Sequence, residues 1–143
     1  MNEKQVAEKF QSGIDCSQVV LEYFAKDSDI STEGAQKLAS FFGGGMGEAE
    51  TCGAVVGGLM ALGLKHGHSE SNMEQKETMV QKRAQFFEEL KKRHSSSRCA
   101  ELLGHDISKP EEFQKVLDEG LLFNFCPKLV MDVIEIVAEI EEQ

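Results

Sequence analysis

The chain has no tryptophan, one tyrosine (Tyr23) and only two prolines in 143 residues. The missing aromatics exclude a base-stacking platform for single-stranded nucleic acid. Basic residues are also scarce, with 15 Lys and Arg against 25 Asp and Glu and a formal charge of −10. That balance excludes the basic stripe with which proteins displace counterions from phosphate. The N-terminus, Met1-Asn2-Glu3-Lys4-Gln5, has no basic patch leading into an apolar run, so no secretory signal is expected. The most apolar stretch, Cys52 to Leu64, is too short to cross a hydrocarbon core of about 30 Å and reads as a buried helix. A cytoplasmic location without a membrane span is expected. Four cysteines in 143 residues are too few for a disulfide scaffold. There is no Cys-x-x-Cys, which excludes a thioredoxin-type pair, a zinc knuckle and a c-type haem attachment.

What is present is helical periodicity, with apolar residues recurring at three- and four-residue intervals and no alternating strand pattern. Val6 and Phe10 mark a first helix that stops near Gly13, and Asp15 caps a second that carries Val19, Val20, Tyr23 and Phe24. Thr32 and Glu33 start a third, expected to carry Leu38, Phe41 and Phe42 to a stop at Gly43. Met73 to Lys92 is amphipathic: Met73, Val80 and Phe87 recur every seven residues, and Met79, Phe86 and Leu90 broaden the stripe. A short turn, Cys99 to Leu103, ends at Gly104, and Ser108 with Pro110 starts a helix running towards Gly120. The last helix follows Cys126-Pro127, turns Leu129, Val130, Val133, Ile134, Val137 and Ile140 inward, and frays from Glu139 to Gln143. Six or seven helices with short connections make one all-α domain over residues 1–143.

Nine of the 13 glycines lie between Gly43 and Gly67. Glycine inside a helix costs about 1 kcal/mol relative to alanine, so this concentration needs a use. Gly53, Gly57 and Ala61 share a face that lets another backbone or a ligand approach, which places this helix at the centre of the bundle.

The four cysteines share a position. Cys16, Cys52, Cys99 and Cys126 each fall within about one turn of an expected helix start, where unpaired N–H groups and the helix dipole favour negative charge. A thiol so placed is shifted towards thiolate, the form that attacks disulfides and binds metals. Arg98 and Lys128 push Cys99 and Cys126 the same way, whereas Glu48 and Glu50 oppose it at Cys52. Convergence of all four makes a zinc or iron–sulfur site, and convergence in pairs makes a reversible dithiol. In the dithiol case Cys52 is the expected attacking thiol, and the turn Gly43, Gly44, Gly45 and Gly47, with Gly53, brings bare N–H groups to the sulfur or a cofactor. The third alternative is a helical adaptor in which the cysteines only pack. His66 and His68 read as dipole partners at a helix end, His94 and His105 as isolated, and Lys91-Lys92-Arg93 as a solvated helix terminus.

The run Phe42-Gly43-Gly44-Gly45-Met46-Gly47 followed by Cys52-Gly53-Ala54-Val55-Val56-Gly57 resembles the hallmark of the C_GCAxxG_C_C family of redox-active proteins, with Cys16, Cys99 and Cys126 matching the flanking cysteines. The resemblance spans roughly residues 10 to 140 and implies redox chemistry at the four cysteines, by thiol–disulfide exchange as a thiol oxidoreductase or by electron transfer through a cysteine-ligated centre. A redox partner protein or small thiol follows from either version, and a homodimer is left open.

Overall fold

Helix starts follow their caps. Asn2 and Gln5 bond reciprocally, each side-chain oxygen accepting the other's N–H at 2.9 Å. Ser31 Oγ accepts the Gly34 N–H at 2.9 Å, and Asn72 Oδ1 accepts that of Gln75 at 3.0 Å. Both prolines sit in a first helical turn, where a missing N–H breaks no bond. In the computed structural model, which describes residues 1–143, these signals produce nine α-helices and no strand. They are α1 (Glu3–Gln11), α2 (Cys16–Ala25), α3 (Thr32–Leu38), α4 (Gly53–His66), α5 (Met73–Arg93), α6 (Cys99–Leu103), α7 (Pro110–Asp118), α8 (Leu121–Asn124) and α9 (Cys126–Glu141). A π-type turn, Gly45–Ala49, precedes α4. The helix count exceeds the expected six or seven because α6 and α8, five and four residues long, are too short to leave a periodicity in the sequence. No helix is long and apolar enough to cross a membrane.

The glycine-rich α4 lies at the centre, packed on α2, α5 and α9. The main core joins Val19 and Val20 of α2, Ala54, Val55, Ala61 and Leu62 of α4, Phe86 and Leu90 of α5, and the Leu129–Ile140 stripe of α9. Glycine permits this closeness. A Cβ on Gly57 would lie 2.8 Å from the Ser17 carbonyl oxygen, and one on Gly58 would lie 2.7 Å from Val133 Cγ1. Ser17, fully buried, anchors the other side of the contact by donating its hydroxyl to the Ala39 carbonyl at 2.8 Å.

Three expectations change. Helix α3 ends at Leu38, not at Gly43, because the Ser40 hydroxyl donates to the Gln36 and Lys37 carbonyls, each at 2.8 Å, and so closes the last turn. Leu38 and Phe41 therefore face solvent, Phe41 at 87% exposure. The seven-residue stripe of α5 is not its buried face: Met73 is 75% exposed and Val80 44%, while Phe86 and Leu90 carry the packing. Only the second half of α5 reaches the core. The C-terminus stays helical to Glu141 because Ile140 is buried and Lys65 Nζ donates to the Glu141 carbonyl at 2.8 Å.

The glycines of α4 differ in a way that stability measurements resolve. Gly57→Ala, which drives a methyl into α2, is expected to lower stability by about 1–3 kcal/mol. Gly63→Ala, at a helical position with nothing within 4 Å, is expected to raise it by about 0.5–1 kcal/mol. Urea midpoints of opposite sign relative to the parent protein check both.

Candidate functional site

Each cysteine opens a helix. Cys16, Cys99 and Cys126 are the first residues of α2, α6 and α9, and Cys52 is the N-cap of α4. The fold turns these four starts towards one another, so that all four thiols, which are free, line a single cavity of about 110 Å³. The rest of the wall is mainly apolar, including Phe10, Ile14, Leu102, Ile107, Leu122 and Phe125.

Two connections place the sulfurs. In the first, Thr51 and Arg98 pair in a single antiparallel bridge, with the Cys52 N–H donating to the Ser97 carbonyl at 2.8 Å and the Cys99 N–H to the Glu50 carbonyl at 2.7 Å. The chain leaving α5 is thereby tied to the chain entering α4, and Cys52 is fixed relative to Cys99. The backbone donors of both cysteines are spent on this bridge. The second connection is glycine. A Cβ on Gly53 would lie 2.6 Å from Cys16 Sγ and 2.7 Å from the Phe42 carbonyl oxygen, and one on Gly43 would lie 2.5 Å from Asp15 Cγ. Asp15 and Cys16 thus rest on two bare Cα atoms, and the Gly44 N–H donates to the Cys16 sulfur.

The glycine turn itself is left-handed, with φ of 64°, 61°, 62° and 71° at Gly44, Gly45, Met46 and Gly47, and 56° at Ala49. Met46 and Ala49 hold this conformation against a cost of roughly 1 kcal/mol each. Of the five glycines expected at the site, Gly44 and Gly53 line the cavity. Gly43 supports Asp15, Gly45 folds the turn onto the backbone of Glu50, and Gly47 meets nothing within 4 Å.

Electrostatics here oppose the expectation drawn from helix starts. Cys16 keeps its proton well above the ordinary thiol value, first through its hydrogen bond with Cys52 and then through burial, with the Gly44 N–H pulling the other way. Burial pushes Cys99 up from 9.0 to about 11, with Cys16 and Asp106 adding to it. Burial likewise pushes Cys126 to about 12, with Cys16 and Cys99 adding. The shift towards thiolate is therefore reversed at these three, because an apolar wall withdraws more solvation than a helix terminus returns. The two expected cations are engaged elsewhere. Arg98 reaches Glu50 and Glu101, and Lys128 donates to Asp132 at 2.9 Å.

Asp15 is the wall residue that the sequence reading passed over, because as a helix cap it already had an explanation. Burial raises its carboxyl above the ordinary value. His94, read as isolated, is not: its Nε2 lies 2.8 Å from Asp132 Oδ2, and its ring stands edge-on to Phe125 with centroids 6.0 Å apart. Burial raises the Asp132 carboxyl, but Lys128 and His94 outweigh it and hold the group below its ordinary range. His94 lies behind the cavity wall, outside the thiol set, and His105 pairs with Glu119.

The donor set can be tested against a metal. No three Cys, His, Asp or Glu side chains converge as a metal ion requires, so the thiols as folded do not fit zinc. An iron–sulfur cluster takes four cysteine ligands, and four cysteines, Cys16, Cys52, Cys99 and Cys126, line the cavity.

Fold and site together define an all-helical protein that gathers four free thiols from four helix starts around one apolar cavity. The chain belongs to the family described as "Putative redox-active protein (C_GCAxxG_C_C)", whose sequence profile matches residues 14–140. Neither a curated protein nor a solved structure gives a match.

Two measurements follow from the raised thiols. In the folded protein near neutral pH, alkylation of Cys99 and Cys126 is expected to be at least ~100-fold slower than after unfolding, as peptide mass spectrometry of timed samples will show. Unfolding free energy is expected to be pH-independent in these groups below about 9 and to fall as pH rises towards about 11 and about 12, because the unfolded chain loses their protons first. Denaturant titrations across that range check the sign.

Proposed function

We propose that the whole chain acts as one thiol–disulfide redox domain, with Cys52 and Cys16 as its reacting pair and the cytoplasm as its working compartment. The observation that carries this reading is the convergence of four free thiols on one cavity, where Cys16 rests on Gly53, the residue next to Cys52. Cys52, the N-cap of α4, is the attacking atom, and Cys16, which keeps its proton at rest, is the resolving thiol. Attack on a disulfide R–S–S–R′ forms Cys52–S–S–R and releases R′S⁻. Cys16 then attacks the Cys52 sulfur, the mixed disulfide breaks, and RS⁻ leaves as Cys16–S–S–Cys52 forms. The two protons lost by the cysteines end on the two released thiols. Asp15, the only titratable wall residue besides the cysteines, receives the Cys16 proton in the second step. Burial favours its protonated form, which suits it to hold that proton briefly. A small thiol that enters the cavity closes the cycle by reducing the new disulfide.

Cys99 and Cys126 complete the wall and stay as thiols during this exchange.

A mild oxidant is expected to remove two of the four thiols and two hydrogens of mass, with peptide mapping linking Cys16 to Cys52. Cys52→Ser abolishes the loss. Cys99→Ala and Cys126→Ala keep it, and circular dichroism confirms that each variant is folded. Stoichiometric iron or zinc in anaerobically purified protein, with all four thiols shielded until the metal is removed, overturns the reading in favour of a metal centre. Four thiols that resist oxidation, together with full stability of Cys52→Ala, overturn it in favour of a helical adaptor.

A further inference from the structure

We infer that the disulfide this site reduces is small and uncharged, of the dialkyl class, and that it enters the cavity whole. The inference rests on the dithiol reading above and adds the substrate class. Its first ground is access. Cys52 and Cys99 are each only 6% exposed, so an S–S bond held on the surface of another folded protein cannot meet the attacking sulfur; the bond has to come inside. Its second ground is size. An apolar cavity of about 150 Å³ takes one benzene ring, six non-hydrogen atoms. The 110 Å³ lined in part by the four thiols is smaller, so dimethyl disulfide, about as bulky as benzene, already fills it and larger disulfides are left outside.

The third ground is charge. No Lys, Arg or His lines the cavity, and its one charged residue is the acidic Asp15. An anionic disulfide would leave water for an apolar wall with no counter-ion and a carboxylate beside it, under a molecular charge of −10. Glutathione disulfide fails on both size and charge. A dialkyl disulfide loses little solvation on entry and meets Phe10, Ile14, Leu102, Ile107, Leu122 and Phe125. The reaction balances as one dialkyl disulfide and two protein thiols giving two alkanethiols and the Cys16–Cys52 disulfide.

The test uses the reduced full-length protein and four disulfides: dimethyl disulfide, anionic dithiodiglycolate, cationic cystamine and glutathione disulfide. The rate of Cys16–Cys52 formation, followed by quenched mass spectrometry, is divided by the rate at which each reagent oxidises dithiothreitol. The normalised rate with dimethyl disulfide is expected to exceed the other three by at least about tenfold. Leu122→Ala, which enlarges the wall, is expected to raise the rate with diethyl disulfide relative to dimethyl disulfide. Equal normalised rates for all four reagents, or a preference for a charged one, overturn the substrate class while leaving the dithiol reading intact. No Cys16–Cys52 disulfide with any reagent overturns both.

Discussion

Helix α2 meets α4 along a line where α4 has no side chains, and the site depends on that approach. Gly57 admits the Ser17 carbonyl and Gly53 admits the Cys16 sulfur, so one run of bare backbone sets both the packing distance of the helices and the contact between two thiols. With a side chain at Gly53, Cys16 and the Phe42 carbonyl would both have to move. The glycine turn, Gly43 to Gly47, extends the same principle beyond the helix. It brings Gly43 under Asp15 and the Gly44 N–H onto Cys16, and holds Met46 left-handed at a cost that the contacts on either side must offset.

The chemistry follows from a competition between two electrostatic effects. Helix starts attract negative charge, but the effect is worth about 0.3–1 kcal/mol at a surface and fades within a turn. Removing a thiolate from water costs more. The values of about 11 and about 12 for Cys99 and Cys126 record which effect prevails when four helix starts converge on an apolar space. The same convergence that assembles the thiols keeps Cys16, Cys99 and Cys126 protonated.

Behind the cavity a polar cluster holds the wall in place. His94 and Lys128 converge on Asp132, and Arg93 spans Asp132, Glu135 and Glu139. These contacts join the end of α5 to α9 from Lys128 to Glu139. Phe125, which packs on His94 and lines the cavity, connects that joint to the thiols.

Much of the architecture is legible in residue order, because caps and periodicity are local. Asp15, Pro110 and Pro127 mark helix starts, and Leu129, Val133, Ile140 and their neighbours form the buried stripe of α9 as their spacing demands. The same reasoning misjudges α5, because which face of a helix is buried depends on where its neighbours lie, and nothing covers Met73. It carries α3 too far because one hydroxyl, Ser40, closes the turn. At the site, the sequence by itself determined that four thiols stand at helix starts and that glycines surround two of them. Only the tertiary structure decided that the four face one cavity, that Cys16 meets Cys52, and that burial outweighs the helix dipole. Desolvation and contact between residues far apart in the chain arise from packing, which local spacing does not encode.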